Sequence, residues 1–348
     1  MRLLLSILLA LLLTVVQVYI GLETFFPSVF QEKARVVDEL IEDKKPIINK
    51  LTPEEQAWIT SHGTITVGVD PYFYPIETFD GRGQYSGLGG DYMKLLSHLT
   101  GIQFLPLRLN DWAATEHSAQ AREVDMYMAA AQTARRSEYM LFTEPYINEP
   151  GVIRAPRTSG LHDITVADLH GKKVAVVAAY SWHDFLLEHH PEVEVVPCAT
   201  TVDALKAVVN GDADAIIDYE FNLKEKIHTA GIMQMEKVGS VESSYGHAIA
   251  VRKDWPILFS ILKKGMDSIT PEEKRELADY WLTQESAPEP ADRHLQWLFF
   301  FFTEIVMLGF GFHTWWQISV TKATRARIRD IRETNRAKAA AAAAANEA

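Results

Sequence analysis

The stretch Thr133-Ala134-Arg135-Arg136, with Phe142-Thr143-Glu144-Pro145-Tyr146 six residues beyond Arg136, holds the residue types best suited to chemistry in this chain. A guanidinium just upstream of a turn and an aromatic-proline pair is an odd group to bury. It makes sense if Arg136 receives a carboxylate brought in by a small ligand, because its planar fork of donors suits two-pronged recognition of an anion. The chemistry expected is capture of a small molecule rather than its turnover.

Other reactive groups point nowhere as specific. His183, His189 and His190 share one expected helix, but none of their spacings is the single turn that helical metal ligands need, so they read as a solvated face. His162 and His170 read as loop residues. No Ser-His-Asp order, Gly-rich phosphate loop or zinc motif stands out, and Gly81-x-Gly83 is a hairpin-type turn. Glu77, Glu144 and Glu149 could serve as acids, yet their spacing singles out none of them. No metal and no cofactor is implied. Cys198 is the only cysteine of the chain, which excludes an intramolecular disulfide, a thiolate cluster and an N-terminal lipid anchor.

The elements that must position Arg136 follow from composition and periodicity. The chain has 348 residues, 47% hydrophobic and 23% charged, enough for one two-lobed globular region or two small domains. Its net charge is −12; residues 321–348 hold seven Lys/Arg against three Asp/Glu, a local +4, so residues 1–320 carry −16. A body that acidic argues against nucleic acid as a partner. Thr52-Pro53-Glu54-Glu55 spells a capped helix start, and Thr270-Pro271-Glu272-Glu273 repeats it.

Between these two starts, strands and helices alternate. Strands are expected at 65–69, 102–107, 125–129, 173–178, 193–197, 214–217 and 247–251. Helices are expected around Tyr92–Leu99 and at 111–122, 181–190, 201–210, 219–230, 255–268 and 271–282. Two βα series predict an α/β protein of two lobes with mostly parallel sheets. Ligands of such sheets bind outside the carboxyl ends of the strands, so facing lobes form a cleft.

Six segments in order resemble family 3 periplasmic solute-binding proteins. They are Asp70-Pro71-Tyr72-Phe73-Tyr74-Pro75-Ile76, Gly87-Leu88-Gly89-Gly90-Asp91-Tyr92, Thr133-x-x-Arg136, Phe142-Thr143-x-Pro145-Tyr146, Asp168-Leu169-x-Gly171-Lys172-Lys173-Val174 and Gly211-x-Ala213-Asp214-Ala215-Ile216-Ile217-Asp218. The resemblance covers residues 51–284. The opening Leu51-Thr52-Pro53-Glu54-Glu55-x-x-Trp58-Ile59 looks more like the input domains of membrane sensor kinases and cyclases. It implies a type II, Venus-flytrap fold: lobe 1 at about 62–150 and 247–284, lobe 2 at about 151–246, joined by two crossing strands. The lobes would close on an amino acid or similar small polar solute.

Site roles carry over from the resemblance. Arg136, preceded by Thr133, matches the arginine that holds the ligand carboxylate, while Arg135 reads as a lobe-surface salt bridge. Asp218 matches the acid that meets the ligand ammonium, with a helix cap as its other reading. Phe73 matches the aromatic that stacks on the ligand, and Tyr72 and Tyr74 flank it. Asp91 reads as structural.

Two departures matter. Where the family places hydroxyl residues before Thr-x-x-Arg, this chain has Ala129-Ala130-Ala131-Gln132. Where lobe 2 offers Gly-Thr/Ser at a helix N-terminus, this chain has Ala179-Tyr180-Ser181. Ser181 can keep the anion contact, but Tyr180 intrudes. The departures weaken the case for a standard amino acid and predict a cleft that is narrower, or that closes without ligand.

Two apolar segments frame the domain. Residues 1–22 read as a transmembrane anchor, with a cleaved signal peptide as the rival reading. A charged spacer helix follows at 23–50. Residues 285–294 read as a linker and 295–320 as a second transmembrane helix, edged by Trp297, Trp315 and Trp316. The basic, Ala-rich tail at 321–348 places itself in the cytoplasm and the domain in the periplasm by the positive-inside rule. Glu304, inside the second segment, is costly in lipid and suggests a homodimer mate or another membrane partner.

The function expected is a non-enzymatic, membrane-anchored periplasmic sensor of a small solute. The alternatives are the binding component of an amino-acid transporter and, behind it, a prephenate-type dehydratase on the same fold.

Overall fold

The computed structural model describes residues 36–283 and, in the C-terminal part, residues 301, 305, 309, 311–313 and 315–336. It divides into two units, 1–286 and 287–348. In the second unit, residues 315–336 are helical. Among the described residues no helix is long and apolar enough to cross a membrane. The expected anchor at 1–22 and linker at 285–294 lie outside the described residues, and the expected segment at 295–320 lies only partly inside them.

In chain order the first unit holds α1 (Val36–Asp43), α2 (Pro53–His62), β1 (Thr64–Val69), β2 (Thr78–Phe79), β3 (Tyr85–Ser86), α3 (Leu88–Thr100), β4 (Gln103–Arg108), α4 (Trp112–Gln120), β5 (Met126–Ala131), α5 (Ala134–Ser137) and β6 (Met140–Phe142). Then come β7 (Ile147–Pro156), β8 (Lys173–Val177), α6 (Ser181–His189), β9 (Glu194–Cys198), α7 (Thr201–Asn210), β10 (Ala215–Tyr219), α8 (Glu220–Thr229), β11 (Met235–Arg252), α9 (Pro256–Asp267) and α10 (Pro271–Leu282). The spacer expected as one helix holds only α1 and a 3₁₀ turn at Ile48–Lys50 among its described residues. Both capping boxes form: Thr52 and Thr270 accept from the backbone of Glu55 and Glu273, whose carboxylates return to the Thr52 and Thr270 amides.

The strands run in the order β4-β1-β5-β11-β7-β10-β8-β9, with β6 beside β11. β4, β1 and β5 are parallel, as are β10, β8 and β9. Every strand-to-strand pairing of β7 or β11 is antiparallel, and Gly239 of β11 adds an isolated parallel bridge to Ile164. These two strands cross from lobe to lobe. β11 pairs with β5 through His247 and Val251 in lobe 1, and with β7 from Met235 to His247. The strand expected at 247–251 is therefore the last part of an 18-residue strand. The mostly parallel expectation holds for the outer strands and fails at the crossing.

Each lobe packs helices on its sheet. In lobe 1, Tyr92, Leu95, Leu96 and Leu99 of α3 are buried, as the one-face spacing requires. β5 is buried along its whole length, as a strand covered on both faces must be. Gly68 of β1 lets α4 lie close: a Cβ there would stand 2.8 Å from Thr115 Cγ2. In lobe 2, Ala204, Leu205 and Val208 of α7 form a second core with Ile216 of β10 and Leu223 of α8.

The interlobe cleft

The candidate site lies where the carboxyl ends of β1 and β5 face the start of α6 and the end of β10. Asp70 directly follows β1, and the turn after it brings Phe73 inward; both are buried. Asp111 caps α4 by accepting from the Ala114 amide at 2.8 Å. That start places Trp112 and Glu116, one turn apart and both buried, on one face of the helix. After β5, Thr133 Oγ1 caps the single turn α5 by accepting from the Arg136 amide at 3.3 Å. The adjacent arginines then differ in burial: Arg136 is 2% exposed, whereas the Arg135 side chain is 37% exposed.

Each of the three nitrogens of the Arg136 guanidinium donates one hydrogen bond to the protein, which uses three of its five N–H groups. Nε donates to Glu116 Oε1 at 3.0 Å, Nη1 to the Ala131 carbonyl at 2.7 Å and Nη2 to the Ala179 carbonyl at 2.7 Å. Its carbon lies 5.0 Å from the Trp112 ring centroid. Ala179 belongs to lobe 2, so this bond crosses the cleft. Trp112 Nε1 donates to the same carbonyl at 3.1 Å. Ala179 has φ +63°. Its amide donates to His183 Nδ1 of α6 at 3.0 Å, so the backbone is held on both sides of Ala179.

Two more bonds cross. Tyr180 OH donates to Asp70 Oδ2 at 2.5 Å. Arg135 holds Glu116 in lobe 1 through Nη1 and Asp184 of α6 in lobe 2 through Nη2, at 2.5 and 3.0 Å. Arg135 is thus an interlobe bridge rather than a salt bridge on the surface of one lobe. Ser181, also buried, shares a 2.9 Å hydrogen bond with Tyr219 OH.

The space these residues leave is small. It is lined by Asp70, Phe73, Trp112, Arg136, Tyr180 and His247, together with Ala129 to Ala131, Ser181 and Tyr219, and it offers about 20 Å³ to the centres of water-sized spheres. That is room for about one water; small-molecule pockets are usually several hundred Å³. The narrow cleft expected from Ala129–Ala131 and Tyr180 is what the structure contains.

The other expected site residues divide. Phe73 is in the cleft wall, with ring centroids 5.6 Å from Tyr180 and 5.0 Å from His247. Tyr72 is 40% exposed and Tyr74 packs towards Trp281, and neither lines the space. Thr133 does not line it either, because its hydroxyl caps α5. Asp218 is turned away: Oδ2 accepts from Thr201 Oγ1 and Asn222 Nδ2, both at 2.8 Å, and Oδ1 from the Tyr219 amide at 2.7 Å. Asp91 is structural, with Oδ2 accepting from Trp281 Nε1 at 2.7 Å. Asp70, Trp112, Glu116, Tyr219 and His247 were missed; only Asp70 sat in a segment that carried the resemblance.

Burial sets the electrostatics. It lifts the Asp70 carboxyl above its usual range and pushes Glu77, whose Oε1 accepts from Tyr85 OH at 2.6 Å, up to about 8. It raises Asp218 to about 6 despite its three donors. Burial, then the nearby Arg136 charge, lowers His247 to about 3, so its ring is neutral. His247 Nδ1 has no hydrogen-bond partner among the described residues.

Two lobes on two crossing strands, with a lined cleft between them, are matched by a family. The sequence profile of the bacterial extracellular solute-binding proteins, family 3, fits residues 65–284. The chain belongs to that family. Sensor protein EvgS of Escherichia coli (strain K12) is 25% identical over 288 residues, covering 81% of this chain and 23% of EvgS. Virulence sensor protein BvgS of Bordetella pertussis is 23% identical over 235 residues, covering 67% of this chain and 19% of BvgS. The chain therefore spans less than a quarter of either sensor. ABC transporter arginine-binding protein 1 of Escherichia coli (strain K12) is 23% identical over 225 residues, 63% of this chain and 91% of that protein. Among solved structures, the B. pertussis BvgS periplasmic domain superposes with a TM-score of 0.62 at 22% identity, covering 72% of this chain and 49% of that one. This family 3 domain is thus homologous to the periplasmic solute-binding domains of sensor proteins.

Proposed function

We propose that the domain is the periplasmic input module of a membrane-anchored sensor, in which a small anionic solute enters between the lobes and the change in lobe spacing is reported across the membrane. The observation that carries this reading is the Arg136 guanidinium, which joins Glu116 and the Ala131 carbonyl in lobe 1 to the Ala179 carbonyl in lobe 2. A carboxylate that takes Arg136 competes with the bond between the lobes. Occupancy and lobe arrangement are then one equilibrium, shifted only by the solute's differential affinity for its two states.

The similarity to EvgS and BvgS supports a sensor, and the apolar segments with the basic tail support a membrane anchor. A carboxylate without an α-ammonium suits the cleft better than an amino acid, because the oxygens of Asp218 are engaged within lobe 2. Delivery of solute to a transporter is the second reading. It is favoured by the match to 91% of arginine-binding protein 1, against a fraction of each sensor.

The test is calorimetric titration of the full chain, wild type and Arg136→Lys, with a panel of amino and carboxylic acids. The expected outcome is a carboxylate that binds wild type and is weakened at least tenfold by the substitution. A ligand held equally by both proteins sinks the carboxylate role of Arg136. A bound ligand that leaves the interlobe distance unchanged sinks the sensor reading.

A further inference from the structure

We infer that Tyr180 is a built-in ligand: its phenol fills the solute position of lobe 1, and lobe 1 is a receptor for a phenol. The argument starts from what lobe 1 presents when Tyr180 is set aside. Phe73 and Trp112 form two aromatic walls, with centroids 5.6 and 6.4 Å from the Tyr180 ring, both edge-on to it. Asp70 Oδ2 lies at the far end and accepts from the hydroxyl. An aromatic slot closed by a buried carboxylate recognises a flat ring with one O–H donor. Tyr180 is 7% exposed although it stands at the start of α6 in lobe 2, because lobe 1 covers it.

Phe73, the residue expected to stack on a ligand, therefore packs edge-on against the neighbouring lobe. The backbone carbonyl just before Tyr180 completes the mimicry, since it occupies Arg136 as a ligand oxygen would. A solute must expel the phenol before it can bind.

The inference rests on the sensor reading only for its consequence, namely that the resting state is closed. The slot itself is tested without that reading. In the full chain carrying Cys198→Ser, spin labels at His117→Cys on α4 and Glu188→Cys on α6 report the distance across the cleft. Closed lobes are expected without any added solute. Tyr180→Gly should move part of the distribution to longer distances, since it removes the ring packing and the Asp70 bond and leaves across the cleft the two bonds to the Ala179 carbonyl and the partly exposed Arg135–Asp184 bridge. Adding 4-methylphenol, the Tyr side chain as a free molecule, should return it to the wild-type distance, and adding Asp70→Ala should abolish that rescue. Tyr180→Phe, which keeps the ring and loses one hydrogen bond, should give a mixture of both distances.

The inference is overturned if Tyr180→Gly keeps the wild-type distance, or if it opens and 4-methylphenol neither binds nor closes it. If Tyr180→Gly does not fold, a Tyr180→Phe distribution identical to wild type overturns it. None of these failures touches the sensor reading, which stands or falls on whether a bound solute moves the lobes.

Discussion

At the scale of single residues, Arg136 acts in the resting protein as a structural cation between two lobes. A ligand hook that waits for its solute can be removed at little cost to stability; Arg136 cannot. Its loss strips a charge partner from Glu116, itself 3% exposed, and leaves the Ala131 and Ala179 carbonyls short of a donor. Arg136→Ala should cost about 3 kcal/mol in urea denaturation, against about 1 kcal/mol or less for the half-exposed Arg135. Equal costs would mean that the buried guanidinium is not what holds the lobes.

Buried acids in and around the cleft set a pH dependence. Glu77 titrates at about 8 in the folded chain against 4.5 when exposed, so the folded state holds the extra proton between those values. Its contribution to stability is complete below pH 4.5 and is lost as pH rises through 8. Asp70 shifts the same way, and Asp218 does so at about 6. His183 and His247, both lowered, lose stability as pH falls below 6.5. Between pH 6.5 and 8 the acids act alone, so stability should fall with rising pH. Glu77→Gln should flatten most of that slope in denaturant titrations.

The sequence showed that Arg136 was unusual and that Tyr180 was out of place. It could not show their partners, because two of those acceptors are backbone carbonyls, which carry no residue-type signal, and Glu116 looks like any surface glutamate of a helix.

At the scale of elements, the βα units were legible because their apolar periods are undisturbed, and the crossing strands were not. Met235, Val238 and Val241 are the buried residues in the first part of β11, three apart rather than two, because the register shifts between Lys237 and Gly239 and again between Ser240 and Ser244. β7 was hidden by Pro150-Gly151, which reads as a breaker but sits beside the second of those irregularities, opposite Ser244.

Glycine 239 is needed at the other irregularity. A Cβ there would stand 2.0 Å from the Ile164 carbonyl oxygen, backbone against backbone. Gly239→Ala should therefore cost more than about 1–3 kcal/mol and broaden the amide signals of β11 in NMR spectra. At the start of α6 the opposite change is favourable. Ala179 holds φ +63°, a left-handed conformation that costs an alanine roughly 1 kcal/mol and a glycine almost nothing. Ala179→Gly should stabilise the chain by about 0.5 kcal/mol after the greater freedom of an unfolded glycine is counted. A loss of stability would show that the Ala179 methyl packs usefully in the closed cleft.

At the scale of the whole domain, the described segments that lead in and out are fastened to lobe 1. Lys44, just after α1, donates to the Ser268 carbonyl at 3.0 Å and pairs with Glu273 at 2.8 Å, and the Ile47 amide donates to the Leu99 carbonyl at 2.8 Å. α10 is held by the Trp281–Asp91 bond inside lobe 1. Among the described residues, the crossing strands and the cleft contacts join lobe 2 to lobe 1. β11 is the direct route: it carries His247 in the cleft wall and runs on through Arg252 into α9 and then α10.

If closure and the packing of α10 are one equilibrium, their coupling must be the same in both directions. Opening the cleft with Tyr180→Gly should then speed hydrogen exchange across 271–282. Loosening α10 with Trp281→Phe, which removes the donor to Asp91 and keeps an aromatic ring, should lengthen the distance between labels on α4 and α6. The two effects should be non-additive in the double variant, by the same free energy whichever readout is used. Trp281→Phe that raises exchange in α10 while leaving the interlobe distance at its wild-type value would cut the cleft off from the exit of the domain, and the sensor reading would lose its only described path.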